Sequence, residues 1–542
     1  VETNPLNRCP LCLAKSPSEQ LKEASWLSPN VLHRLAEAHP NWRRADGACP
    51  ACVQQALLQV LTEKGEAALH EGIQSVWPID SEAAFGALPT PLRLHADPRH
   101  TGKGVTIAMI DSGFYPHADL VQPRNRIRAW VDAGGDSISA VSFRKDEVPR
   151  WPGWDASAPS QWHGLMTSVT AAGNGWLSHG LYRGLAPDAN VVLIQARDGK
   201  GHITNDSITR ALHWVRKHRS DFGIKIVSMS VAGDSVEPLA GNAIDEAIAN
   251  LVTEGILVIA AAGNDGRREL VPPATAPLAL TVGGLDDSNT FDHEARRIWH
   301  SNYGDASNGS FKPELVAPSM WVVAPLLPGT AIAAEAAELF SRRANGNFHV
   351  NEQIEEQKLV TPHYQHVEGT SFAAPVVAGI AACMIEANPN LSALRVRELQ
   401  TAATCSVPGA ARERQGAGAI EAGLAVALAM ADRSGTANVK VSSPAIDRDA
   451  VVFRLLDPNA QSVRVLGSWD GWTIPGVPAI QIERGVWRAS LPMPKPGRFA
   501  YKFLVNDDRW LTDPINPRRT ADRRGGWNSV LFVNETTSPS GF

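Results

Sequence analysis

Nowhere in this 542-residue chain do about 20 apolar residues run together, the length a membrane-spanning helix needs. No basic stretch followed by an apolar run opens the sequence, so a secretory leader is not expected. Basic residues are not in excess. The 51 Lys and Arg against 56 Asp and Glu leave a net charge of −5, which calls for neither nucleic acid nor a membrane as partner. Cysteine is scarce, with six in all. Internal repeats and low-complexity tracts are missing. What is left, 44% apolar and 20% charged, is an ordinary soluble composition. At roughly 100–200 residues per domain, the length implies several units.

Three units are legible. The first covers residues 1–90, with two CxxC pairs, a short helix over Pro29–Ala38 and a longer one over Val53–Ile73. The second covers residues 91–433. Its apolar runs VTIAMI (105–110), VVLIQA (191–196), IVSMSV (226–231) and ILVIAAA (256–262) each stop at or near Gly, Asp or Asn. Such runs fit strands buried on both faces of a parallel sheet. Helical patterns lie between them, at Ser207–His218 and Asn242–Glu254, so an α/β fold with helices on both faces is expected. Two inserts interrupt it, Ala133–Gln161 and Met320–Val367; the second includes a helical run, Ala331–Ala344. The third unit, residues 437–535, switches to period two with glycine turns, the pattern of an antiparallel β-sandwich.

Three residues in the second unit form a chemical set. Asp111 ends a buried strand, at the sheet edge where parallel sheets bind ligands. His163 opens one helical run and Ser371 another. A serine hydroxyl needs a base before it can attack a carbonyl. Histidine, with a pKa of about 6.5, is such a base at neutral pH. An aspartate fixes the imidazole tautomer and stabilises the imidazolium. Singly, each has a plainer reading as a turn residue or helix cap.

The motifs DSG, HG and GTSFAAPVVAG, in that order, resemble the three signatures of the subtilisin family. GLAPDAN (184–190), SMSVAG (228–233), AAAGN (260–264) and KPELVAP (312–318) resemble further family segments. The resemblance implies a serine endopeptidase with Asp111, His163 and Ser371 as catalytic triad and Asn264 as oxyanion donor. It implies that a protein or peptide substrate lies along Ser228, Met229, Ser230, Val231, Ala232 and Gly233, with Ala261, Ala262 and Gly263 walling a specificity pocket. Leu165 and Val169 depart from the family's usual Thr and small residue. No calcium loop can be traced, so calcium stays open. A dormant core serving as a scaffold, and acyl transfer to an amine, use the same residues.

Cys9, Cys12, Cys49 and Cys52 supply two knuckles able to hold one zinc ion. Two disulfides or redox chemistry are the alternatives, and His33 and His39 are expected on a helix surface. Cys383 and Cys405 read as buried free thiols. Free thiols suit a reducing compartment, so a cytoplasmic location is expected, with secretion left open. Pro89–Leu94 is placed near the cleft by position alone.

In the third unit VVFRLLDPNAQSVRVLGSWDGW (451–472), the stretch 485–514 and GGWNSVLFV (525–533) resemble the glycogen-binding module of AMP-activated kinase β subunits and of branching enzymes. Carried over, Trp472 and Trp510 stack on glucose rings, while Lys502 and Asn528 bond sugar hydroxyls. The partner is then an α-glucan; a protein partner on a retained fold is the alternative. Trp469 and Trp527 are expected to pack internally.

Overall fold

The computed structural model describes residues 6–13, 15–17, 29–48, 52, 56, 87–97, 99–144, 147, 149, 159–178, 180–234, 242–290, 293–308, 310–433, 443–447, 450–457, 460–483, 486–513, 516, 519–522 and 527–533. The α/β class is as expected. The central sheet runs, in spatial order, through Thr404–Cys405, Ala419–Ile420, Leu315–Pro318, Leu280–Asp286, Leu257–Ala261, Ile224–Met229, Thr106–Asp111, Asn190–Gln195, Ile127–Asp132 and Ser139–Ser142. Its middle strands run parallel; antiparallel pairs occur at its two flanks and where Arg297–Ile298 joins the end of Leu280–Asp286. The four expected strands are all there, within two residues of the apolar runs that announce them.

Strand Thr106–Asp111 is where chain order reverses. Its two neighbours, Asn190–Gln195 and Ile224–Met229, both follow it in sequence, one on each side. Parallel sheets open a crevice at such a point, beyond the carboxyl ends of the strands. Asp111 stands on that edge, and Ile110 is in register with Met229.

Helices cover both faces. Asn205–Phe222 and Ala243–Thr253 pack over one face, through Ile208, Leu212, Ile248 and Leu251. Each begins at a side-chain cap, Thr204 or Asn242, which satisfies an N–H that the first turn leaves unpaired. The other face carries Trp162–Ala172, Thr370–Ala387 and Ala422–Arg433. The Thr370–Ala387 helix is apolar and long enough, by length and composition, to cross a membrane, which corrects the reading that no such stretch exists. It is 83% buried, so its apolar surface is already covered by the domain core.

The Met320–Val367 insert is a small subdomain. Val322–Pro325, Leu359–Thr361 and Tyr364–Val367 make a three-stranded antiparallel sheet, and the helix Ala331–Ala344 lies where expected. Tyr364 anchors it, its hydroxyl within 2.8 and 2.9 Å of the buried Asp119 carboxylate oxygens. Of the Ala133–Gln161 insert, Ser139–Ser142 extends the sheet edge, and Trp151 and Trp154 lie outside the described residues.

The N-terminal unit rests on this insert. Leu35, on the helix Pro29–Ala38, and Trp42 share an apolar cluster with Leu88, Leu92, Tyr182, Val360 and Tyr364. His33 and His39 are exposed. Most of the helix expected over Val53–Ile73 lies outside the described residues. Pro89–Leu94 is tied down by contacts with distant parts of the peptidase unit. Leu88 N–H donates to Asn289 Oδ1 at 2.7 Å, Arg93 pairs with Asp287, and Leu94 O accepts from Ala422 N–H at 3.1 Å.

The C-terminal unit is antiparallel, but its two sheets are joined. Val477–Glu483 pairs with Val463–Gly467 at Val477 and Pro478, then with Val486–Pro492 from Ala479 onward. Pro478 lacks the N–H that would continue one ladder, and the chain changes sheets there. The result is a half-barrel around Phe453, Val465, Tyr501 and Phe503. Trp469 packs inside, as expected, against Phe453 and Tyr501.

Candidate active site

Two backbone contacts bring the three chemical residues together. Gly164 follows His163, and a Cβ there would collide with the Gly113 carbonyl, just beyond Asp111. Only glycine lets the histidine helix press so closely on that turn. Gly379, in the serine helix, faces Ala171 of the histidine helix, and an added Cβ would stand 2.9 Å from the Ala171 carbonyl oxygen. The two helices that carry His163 and Ser371 therefore meet backbone to backbone.

Asp111 is 1% exposed, and its carboxylate is nearly saturated with donors. Oδ1 accepts from Ser112 N–H at 2.6 Å and lies 2.6 Å from His163 Nδ1. Oδ2 accepts from Thr167 Oγ1 at 2.8 Å. A carboxylate so close requires the proton on Nδ1, which leaves the Nε2 lone pair facing the cleft. Burial alone would lower the His163 pKa. The Asp111 charge and hydrogen bond outweigh it, and the imidazole is raised above its ordinary value of 6.5. Ser371 is half-buried, next to Phe372, whose ring centroid is 6.1 Å from that of His163. Among the described residues no hydrogen bond joins Ser371 Oγ to His163; this contact is often long before substrate arrives.

Asn264 follows the strand Leu257–Ala261 and is held from one side. Its Oδ1 accepts from Thr370 N–H at 3.0 Å and from Thr370 Oγ1 at 2.8 Å. Thr370 Oγ1 in turn accepts from Gly263 N–H at 3.0 Å. Two donors on Oδ1 fix which end of the amide is oxygen. Nδ2 is left as a donor beside Gly369.

The expected substrate strand is shorter than its motif. Ser228 and Met229 are completely buried, closed in between neighbouring strands. Ser230 and Val231 are mostly covered, and free surface begins at Ala232 and Gly233. Across from them Ala261 and Gly263 are partly open, and Ala262 is buried.

Ser230 does something the sequence reading did not assign. In a helix the Ser371 carbonyl would accept from the N–H four residues on, and that residue is Pro375, which has none. Ser230 Oγ donates to Ser371 O instead, at 2.8 Å. The proline in GTSFAAP was the available signal. Thr167, three residues beyond Gly164, was also missed; only its place one turn past His163 pointed to it.

In the N-terminal unit Cys9, Cys12 and Cys52 converge, their sulfurs all within 4.8 Å of one another. Cys49 lies outside the described residues. Cys9 Sγ and Cys52 Sγ are 3.9 Å apart, far beyond a disulfide bond. Tetrahedral zinc with bonds of about 2.3 Å sets its thiolates about 3.8 Å apart, so the spacing fits that ion. Cys383 and Cys405 are buried; burial pushes the Cys383 thiol up to about 12 and raises Cys405 well above its ordinary value.

On the C-terminal unit Trp472 and Trp510 have ring centroids 6.3 Å apart, and Trp510 is 46% exposed. Trp510 pairs with Leu504, two residues along the same face from Lys502. Lys502 Nζ bonds Asp522 at 2.7 Å, and the register Tyr501 with Ser529 puts Asn528 opposite Lys502. Lys502, Trp510 and Asn528 thus fall on one side of one sheet, and Trp472, in the turn after Val463–Gly467, sits beside Trp510. Trp527's side chain lies outside the described residues.

Residues 102–418 match the model of the subtilase family. The chain belongs to the subtilase family. Residues 437–516 of this subtilase match carbohydrate-binding module 48, described as the isoamylase N-terminal domain. Serine protease AprX of Bacillus subtilis (strain 168) is 30% identical over 335 residues, 59% of this chain and 66% of that protein. Subtilisin-like protease 2 of Pseudogymnoascus destructans is 27% identical over 52% of each chain. Subtilisin BL of Lederbergia lenta is 27% identical over 55% of this chain and 82% of its own. The subtilase thus spans about half to two thirds of the first two. Among solved structures, Sphericase is 23% identical over 56% of this chain and 84% of that one, with a TM-score of 0.41.

Proposed function

We propose that this subtilase is a serine endopeptidase acting through Asp111, His163 and Ser371. The observation that carries the reading is the 2.6 Å Asp111–His163 contact, on a helix packed against the one that bears Ser371. His163 Nε2 takes the Ser371 proton as Oγ attacks the peptide carbonyl. The carbonyl oxygen gains the electron pair and is held by Asn264 Nδ2 and Ser371 N–H. Collapse breaks the C–N bond, and the departing amine takes the proton from His163. Water then repeats the sequence on the acyl-enzyme, restoring Ser371. A fluorophosphonate probe should label the intact protein at Ser371; a folded protein that stays unlabelled and leaves casein uncut defeats the proposal and favours the dormant scaffold.

Asn264→Ala should lower kcat about 10²–10³-fold with KM little changed, the loss an oxyanion donor gives in a subtilisin. Steady-state kinetics on a peptide substrate measures it. A loss under tenfold would remove Asn264 from the oxyanion site.

We further propose that Cys9, Cys12, Cys49 and Cys52 hold a structural zinc, which would pin the N-terminal unit's fold. A mercurial thiol reagent should release about one zinc per chain, and Cys9→Ser should abolish the release. Less than half an equivalent counts against zinc.

The C-terminal module is proposed to bind α-glucan through Trp472, Trp510, Lys502 and Asn528, bringing the peptidase to its substrate. Aromatic faces suit the apolar C–H faces of sugars. Trp510→Ala should weaken retention on glycogen roughly tenfold or more, from about 1.5–3 kcal/mol of lost aromatic burial. Equal retention of the variant in affinity electrophoresis would favour a protein partner.

A further inference from the structure

We propose that His95, His293 and Glu421 form a second metal site, for a divalent transition ion of the zinc type. The three donors come from distant parts of the chain. His95 precedes the first sheet strand, His293 opens the short 3-10 turn His293–Ala295, and Glu421 precedes the helix Ala422–Arg433. Their ligand atoms all lie within 4.8 Å of one another.

The spacings are those of co-ligands. His95 Nδ1 is 3.3 Å from Glu421 Oε2, and His293 Nε2 is 3.7 Å from Oε1. The first is a long hydrogen bond and the second lies beyond one, so a bound ion would replace a weak His95–Glu421 contact. Bonds of about 2.1 Å to a tetrahedral ion set its ligands about 3.4 Å apart. Two imidazoles with one carboxylate suit zinc, nickel or cobalt, whereas calcium and magnesium take oxygen ligands.

The carboxylate is also oriented. Arg296 Nη1 donates to Glu421 Oε1 at 2.6 Å, and both side chains are at most 5% exposed. The guanidinium holds one oxygen and leaves the other for the ion; its charge weakens the affinity without blocking the place. His95 adopts φ +50°, a conformation rare for a residue with a side chain and one that surrounding structure must enforce. The enforcement is visible in the backbone: Leu94 O accepts from Ala422 N–H at 3.1 Å, and Glu421 N–H donates to Ala403 O at 2.8 Å. The His95 side chain is 55% exposed, which gives an ion a path in and water a coordination position.

A bound ion would tie the approach to the sheet, the loop after Leu280–Asp286 and the final peptidase helix together. Metal therefore stabilises the fold by mass action. The test uses cobalt with the full chain after chelator treatment. The parent should bind a cobalt whose visible bands lack thiolate charge transfer, beside any thiolate-bound ion. His293→Ala and, separately, the exposed His95→Ala should each lose that cobalt while keeping the parent's circular dichroism and any thiolate band. Zinc should raise the parent's Tm by several degrees more than that of either variant. Cobalt bound only with thiolate bands, or bound equally by parent and both variants, overturns the site. A zinc-induced rise in Tm identical in all three proteins overturns it too.

Discussion

Ser371→Ala is expected to lower kcat by roughly 10⁴–10⁶-fold, a span known from removing the serine of a subtilisin, a relative of this chain. KM and the unfolding midpoint should barely move, because Ser371 Oγ makes no hydrogen bond among the described residues and its loss breaks no packing. The residual rate should still exceed the uncatalysed one by about 10³–10⁴, since Asn264 and the Ser371 N–H remain to hold the oxyanion. Stopped assays on a chromogenic peptide, with active-site titration of the parent, separate the outcomes. A variant retaining a tenth of the activity would move the nucleophile elsewhere.

Asp111→Asn should lower kcat/KM about 10⁴-fold near neutral pH. The amide can present its NH₂ to His163 Nδ1, which turns the tautomer over and puts the proton on Nε2, where Ser371 needs a lone pair. The pH profile carries a second signature. In the parent, only neutral His163 accepts the serine proton, so kcat/KM rises with pH through the raised His163 pKa, and the acid limb lies above 6.5. Removing the carboxylate leaves burial as the surviving influence, which favours the neutral ring, so the limb should move to lower pH. A lower rate with an unmoved limb would mean that Asp111 orients His163 without setting its charge.

The parts of the fold that could be read from the chain share a property. The strands at 106–111, 190–195, 224–229 and 257–261 are buried on both faces, so their sequences are nearly unbroken apolar runs. The strands that escaped notice carry foreign residues. Ile127–Asp132 includes Arg128, Leu280–Asp286 includes Gly283 and Gly284, and Leu315–Pro318 ends on a proline. The insert sheet was hidden for another reason: its strands are three or four residues long, too short for a period to register. For the site, Asp111, His163, Ser371 and Asn264 were legible from their motifs, while Thr167 and Ser230 were not. Their roles depend on which oxygen they face, a property of three-dimensional approach. His95, His293 and Glu421 were invisible for the same reason, successive members being 198 and 128 positions apart.

The hydroxyl of Ser230 on the Ser371 carbonyl has a mechanical meaning. A helix normally satisfies its own carbonyls and is free to tilt as a rod. Here one rung is fastened to the adjacent sheet edge, and Pro375 removes the amide four residues on that would ordinarily take that carbonyl. Parting the two walls at this point leaves a partly buried carbonyl without that partner, a cost of about 1 kcal/mol. The floor of the cleft therefore behaves as a fixed anvil, and any gating of access to it falls to the surface segments around the rim.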